Sequence, residues 1–223
     1  MLKERKMTLF YRTSNAFFVS PAGRRLQNQI GSFFARENLQ KQKVALIGPV
    51  FPFLAAFEQN NPDIVFEKET VVENDFFSDL PPAFSIDTVF IVVLNASVAE
   101  NLSELIKEAN KMLKPRGRLF LLIKNKRRVF TVNVCEMPET KLSSIMKEIR
   151  ENGFSLNKKR ETLLFPYAFS ICQKTDDFLF SLSAGKGCFS LLAAQKSPLV
   201  TAPVENYSST RITKASVFTS PRT

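Results

Sequence analysis

Histidine and tryptophan are missing altogether, and only three cysteines and seven glycines occur in 223 residues. Without histidine the commonest general base is gone, and with it the serine and cysteine hydrolases that depend on an imidazole. Acid–base chemistry would have to come from Asp, Glu, Lys, Tyr or a cysteine thiolate. Cys135, Cys172 and Cys188 lie far apart and form no Cys-x-x-Cys, so zinc ligation has almost no material and no metal site is expected. The odd count, in a domain large enough to need no staples, argues for reduced thiols rather than a disulfide framework. No apolar run reaches the roughly 18–20 residues that span a bilayer. The longest, 89–94 and 119–123, fit buried strands. The basic start at 1–6 leads into a stretch broken by Arg12, Ser14 and Asn15, unlike a secretory signal, so the expected location is the cytoplasm.

Phenylalanine is abundant, with 22 residues, and supplies the apolar area for one globular core. The net charge is +10 and unevenly spread. Residues 1–43 hold nine Lys/Arg against two Glu, 58–108 are acidic, and 111–128 hold eight Lys/Arg and no acid. Such asymmetry suits an anionic partner or a solvated basic face. Lys124, Lys126, Arg127 and Arg128 form the tightest cluster and are the candidate contacts for RNA. Only Phe130 stands near them as a stacking residue.

Apolar periodicity predicts alternating strands and helices. Ser20-Pro21-Ala22-Gly23 reads as a turn, followed by a helix from Arg24 to about Asn38. A strand at 43–47 stops at Gly48-Pro49. A second helix begins at Phe53, and 64–66 and 71–72 are short strand candidates. Residues 87–94 are apolar on both faces, as in the centre of a parallel sheet. Ser97-x-x-Glu100 reads as a capping box for an amphipathic helix over 98–113. Residues 118–123 form the next strand, completing a βαβ unit. A helix at 140–152 follows, then strands from Phe154, at 163–165 and at 188–194. The expected organisation is an extension at 1–16, a domain over 17–197 and a disordered tail at 198–223. In such α/β sheets, ligands bind beyond the carboxyl ends of the strands at the topological switch point.

The order of these pieces resembles the class I S-adenosylmethionine-dependent methyltransferases. Leu113-Lys114-Pro115-Arg116-Gly117-Arg118-Leu119 matches that family's link between a helix and the fifth strand. Phe18-Val19-Ser20-Pro21-Ala22-Gly23-Arg24-Arg25, the segment 44–54, Asn125-Lys126-Arg127 and 187–196 are similar to an α-proteobacterial methyltransferase-like group. The resemblance implies a Rossmann-like fold: a mostly parallel sheet, helices on both faces and an antiparallel last strand. It also implies S-adenosylmethionine as cofactor, held by Gly48 and Pro49 after the first strand, Glu67 ending the second and Asn95 after the fourth. No catalytic residue is implied. The sequence departs from the family at Leu46, which takes the place of a family glycine, and at Pro49, which lacks a backbone N–H. Val93-Leu94-Asn95-Ala96 stands where the α-proteobacterial group has His-x-Leu-Glu, so apolar and amide groups replace an ionisable cluster. Three readings follow: a methyltransferase with an unidentified acceptor, a non-catalytic binding protein on the same scaffold, and a basic RNA-binding module.

Overall fold

Central strands with apolar side chains on both faces need cover on both, and the computed structural model supplies it with helices on either side of one sheet. Residues 7–37, 39, 42–50, 52–54, 65–66, 81–126, 130–134, 136–163, 170–181 and 187–198 are described. The elements in chain order are β1 (Met7–Tyr11), α1 (Ser14–Phe18), α2 (Pro21–Arg36), β2 (Lys43–Ile47), β3 (Val65–Phe66), β4 (Ile86–Val93), α3 (Ala96–Glu100) and α4 (Leu102–Met112). They continue with β5 (Leu113–Lys124), β6 (Phe130–Val134), α5 (Leu142–Glu151), β7 (Phe154–Thr162), α6 (Ser170–Ser181) and β8 (Phe189–Lys196).

Six strands form the main sheet in the order β3-β2-β4-β5-β8-β7. The pairings from β3 to β5 are parallel. The last strand, β8, runs antiparallel to both β5 and β7, between which it is inserted. This is the mostly parallel sheet with a reversed last strand expected from the sequence. Alternation along each strand divides the core in two. Val44, Leu46, Phe90, Val92, Phe120, Leu122 and Leu191 face α1 and α2. Ala45, Ile47, Val89, Ile91, Leu119, Leu121 and Leu192 face α4 and α5. Phenylalanine dominates the first layer, where Phe34 packs edge-on against Phe90 and Phe120 with ring centroids 5.0 Å apart in each case.

Several boundaries differ from expectation, each for a local reason. Helix α2 starts at Pro21, because Ser20 caps it: its Oγ accepts from Gly23 N at 3.2 Å. Proline at the first helical position needs no N–H partner. The helix expected over 98–113 is broken at Asn101 into α3 and α4. Its cap is Asn95, whose Oδ1 accepts from Val98 N at 2.9 Å, and the Ser97 capping box does not form. Leu163, expected in a strand, has φ 56° and lies just beyond the end of β7. The candidate strand at 71–72, residues 164–165 and the tail from 199 onward lie outside the described residues. Strands β1 and β6 and helix α6 are additional elements. Strand β1 pairs in parallel with β6, and Ser14 N donates to Glu136 Oε2 at 2.8 Å. The stretch 1–16, set apart above as an extension, thus contains a strand and the start of a helix.

Asp87, at the start of β4, ties three strands together. Its carboxylate accepts from Lys43 N on β2 at 3.0 Å and from Lys114 Nζ on β5 at 2.8 Å. Burial pulls its pKa upward, but the Lys114 and Lys43 hydrogen bonds and the attraction of both ammonium groups outweigh that and hold it below the usual 3.8. A carboxyl lowered on folding stabilises the protein above its unfolded pKa and loses that contribution as pH falls through its folded pKa. Asp87→Asn is therefore expected to lower the melting temperature at pH 7, with the gap to wild type closing below about pH 4. Melting curves of both proteins from pH 7 to about pH 2 check this; a gap that does not narrow as the pH falls below about 4 would mean that charge is not its source.

Candidate functional site

The chain passes from β2 to β3 on one side and returns to β4 on the other, so the switch point lies between the carboxyl ends of β2 and β4. Gly48 sits there with φ 90°, a conformation that residues with a Cβ rarely adopt. A Cβ on this residue would stand 2.5 Å from the carbonyl oxygen of Val92, near the end of β4, and 3.1 Å from Val98 Cγ2 on α3. The turn therefore brings β2 against the start of α3 at the point where a ligand of such a sheet would lie.

The lining of this turn is apolar and its donors are few. Leu46 is in β2, paired in register with Phe90, and its side chain belongs to the phenylalanine layer. It lies within the strand expected at 43–47, one residue before its end. Val50, two residues after Gly48, is the side chain in the turn itself, and it is fully buried with Phe53 beyond it. Val50 N donates to Gly48 O at 2.7 Å, so that N–H is engaged, and Pro49 has none. Phe53 packs edge-on against Phe18 at 5.5 Å and Phe90 at 6.4 Å. Asn95 stands across from Gly48 at the head of α3, with its Oδ1 occupied as the cap; its amide nitrogen makes no hydrogen bond among the described residues. Leu94 beside it is buried. Glu67, the candidate for the ribose hydroxyls, lies outside the described residues.

Four positions of the segment Ser20–Arg25 have a structural explanation. Ser20 caps α2 and Pro21 opens it. Gly23 packs so closely on the backbone of Phe17 that a Cβ would collide with its carbonyl oxygen. Arg25 reaches across to Asp176 of α6, Nη1 to Oδ2 at 3.5 Å, and both side chains are buried. Gln29, one turn further on, donates to Asp176 and to Asp177, each at 3.0 Å, and accepts from Thr162 Oγ1 and from Leu163 N. These contacts bind α2, α6 and the end of β7 into one polar unit. The sequence reading missed it: a buried Asp176 on a helix whose Ile171 and Phe178 are exposed inverts the expected pattern.

The basic cluster does not survive as a continuous patch. Lys124 is only 2% exposed and points inward, its Nζ reaching Met137 O at 3.4 Å and Glu139 Oε1 at 3.9 Å. A cation held within the domain cannot neutralise phosphates on a ligand. Lys126 is exposed, and Arg127 and Arg128 lie outside the described residues. Asn125 is equally structural: Nδ2 donates to Gly187 O at 2.8 Å and Oδ1 accepts from Ser190 Oγ at 2.8 Å, joining β5 to the start of β8. Among the described residues no group of three or more Cys, Asp or Glu is placed to hold a metal ion, and no helix is long and apolar enough to cross a membrane.

A reversed strand inserted between β5 and β7, on a sheet otherwise parallel and doubly wound, decides the architecture. The fold is that of the class I methyltransferases. No protein-family model matches the sequence, and no curated protein matches it. Solved structures similar to the chain include an S-adenosylmethionine-dependent methyltransferase of Thermotoga maritima, 14% identical, with a TM-score of 0.49 over 82% of this chain and 94% of that one. A methyltransferase of Mesorhizobium loti is 12% identical, with a TM-score of 0.48 over 73% of this chain and 96% of that one. One from Archaeoglobus fulgidus is 10% identical, with a TM-score of 0.49 over 76% and 94%. Likenesses this distant say nothing about the reaction, and the strand order of the chain itself carries the assignment of the fold.

Proposed function

We propose that the chain is an S-adenosylmethionine-dependent methyltransferase-like protein, with the cofactor lying over the ends of β2 and β4 against Gly48, Pro49 and Asn95, and with Glu67 at the ribose. The observation that supports this reading is the left-handed Gly48 turn, placed at the switch point beside the head of α3. Asn95 offers its amide nitrogen as a donor there. The bound cofactor would supply an electrophilic methyl group, so the protein's own task is proximity and alignment. An acceptor that is already nucleophilic needs no base, which fits a chain without histidine. The class of acceptor is set by residues not yet assigned.

Buried Val50 and Phe53, the engaged Val50 N–H and the cap on Asn95 Oδ1 favour a second reading. In it the scaffold is retained for binding and methyl transfer is lost. Calorimetric titration with S-adenosylmethionine separates the two. The first reading expects saturable binding with a Kd on the order of 10–100 μM. No heat at about 1 mM ligand would overturn it and leave the non-catalytic protein.

A further inference from the structure

The end of the sheet opposite Gly48 carries an open cavity. It measures about 410 Å³ and is lined by Phe84, Lys107, Asn110, Lys111, Glu151, Asn152 and Lys196. That volume falls within the usual range for small-molecule sites, roughly 300–1,000 Å³.

Phe84 is the unusual member. It has φ 55°, where a bulky aromatic residue is a rare outlier, and it is 55% exposed. Glycine or asparagine would hold this turn at lower cost. The conformation is fixed from two sides: Phe84 N donates to Lys111 O at 3.0 Å, and Ser85 Oγ donates to Pro82 O at 2.7 Å. Strain retained on an exposed ring beside a cavity points to use of the ring.

Lys196 is the second unusual member. Its side chain is buried, and Nζ donates to Asn110 O at 2.5 Å and Leu113 O at 2.9 Å while lying 4.6 Å from the Phe84 ring centroid. No carboxylate pairs with it among the described residues. Burial pushes its pKa below that of an ordinary lysine. Of the other charged residues in the lining, Lys107 makes no ion pair among the described residues, Lys111 pairs with Glu108 at 2.6 Å, and Glu151 pairs with Lys147 at 3.5 Å. Three ammonium groups therefore face one carboxylate.

We propose that this cavity binds a planar aromatic anion, with the free face of Phe84 stacking on the ring and Lys107 and Lys111 holding the anionic group beside the buried Lys196. The carboxylate and phosphate forms of such a ligand share this chemistry, and two probes distinguish them. The intact chain is titrated with 4-hydroxybenzoate and with phenyl phosphate, followed by ligand-observed and amide NMR; inorganic phosphate and benzyl alcohol represent the separate halves. One or both aromatic anions are expected to bind about tenfold more tightly than either half. The tighter of the two names the anion. Phe84→Gly is expected to weaken binding by about tenfold, the effect of losing one ring stack, while the melting temperature holds or rises because glycine suits the turn. Lys107→Glu is expected to weaken it by a similar factor. Absence of binding by both aromatic anions at about 10 mM would overturn the proposal. So would binding indifferent to Phe84→Gly, or displacement by S-adenosylmethionine, which would place the probes at the Gly48 end.

Discussion

Gly48→Ala is expected to lower the stability of the domain by about 2–5 kcal/mol, the sum of a left-handed backbone penalty and an overpacking penalty. The two parts have separate origins. The φ of 90° disfavours any side chain at this position. The position of the Val92 carbonyl, 2.5 Å from a built Cβ, forbids even a methyl group unless the end of β4 moves away from β2. Urea denaturation followed by circular dichroism measures the loss. A change below about 1 kcal/mol would show that the turn can open, and that the close approach of β2 to β4 is not fixed by packing. The same variant bears on function. A turn that opens to admit a methyl group also displaces the backbone on which the proposed cofactor rests, so S-adenosylmethionine affinity should fall in step with stability.

Phe34→Ala is expected to cost about 3–5 kcal/mol, the range for removing a fully buried aromatic side chain from a core. Phe34 is completely buried and forms ring contacts to Phe33 at 5.4 Å and to Phe90 and Phe120 at 5.0 Å. Those partners sit on α2, β4 and β5, so the ring joins the helix to the middle of the sheet. The neighbours are rings held by one another and by the strands, so they cannot close over the gap without leaving their rotamers. Guanidinium or urea unfolding checks the value. A loss near 1 kcal/mol would mean that the phenylalanine layer repacks freely, which its edge-to-face geometry argues against.

The centre of the fold was legible because its strands carry unbroken apolar runs. Residues 89–94 and 119–123 have no polar face to misplace, so pattern alone assigns them to a sheet covered on both sides. Gly48 was legible as a turn, since a strand running into Gly-Pro has few alternatives. The burial of Val50 was not, because an apolar residue just after Gly-Pro suits an exposed loop as well as a packed turn. Lys124 was misread because sequence adjacency to Lys126 suggested a shared surface, whereas Lys124 is the last residue of β5, turned in toward Met137 and Glu139, and Lys126 lies beyond the strand end. Helix α6 escaped notice because, among its described side chains, the buried one is Asp176, paired with an arginine 151 residues away. A polar contact of that span leaves no periodic trace. The caps were legible in kind but not in place, since Asn95 and Ser97 both suit an N-cap and the helix start decides between them.

The position of β8 has a consequence for how the chain is assembled. It is the last of the described strands in chain order, yet it fills an interior place in the sheet, between β5 and β7. Until it emerges during synthesis, β5 presents an unpaired edge of buried-type residues, and β7 has no partner in the main sheet. That edge, Leu119–Ile123, is a ready template for a neighbouring nascent chain. A ribosome-bound fragment ending before Phe189 would therefore be prone to aggregation, while β7 carries Lys158 and Lys159, charges that discourage pairing of that strand with a stranger. The sheet closes only when β8 threads between two strands already made.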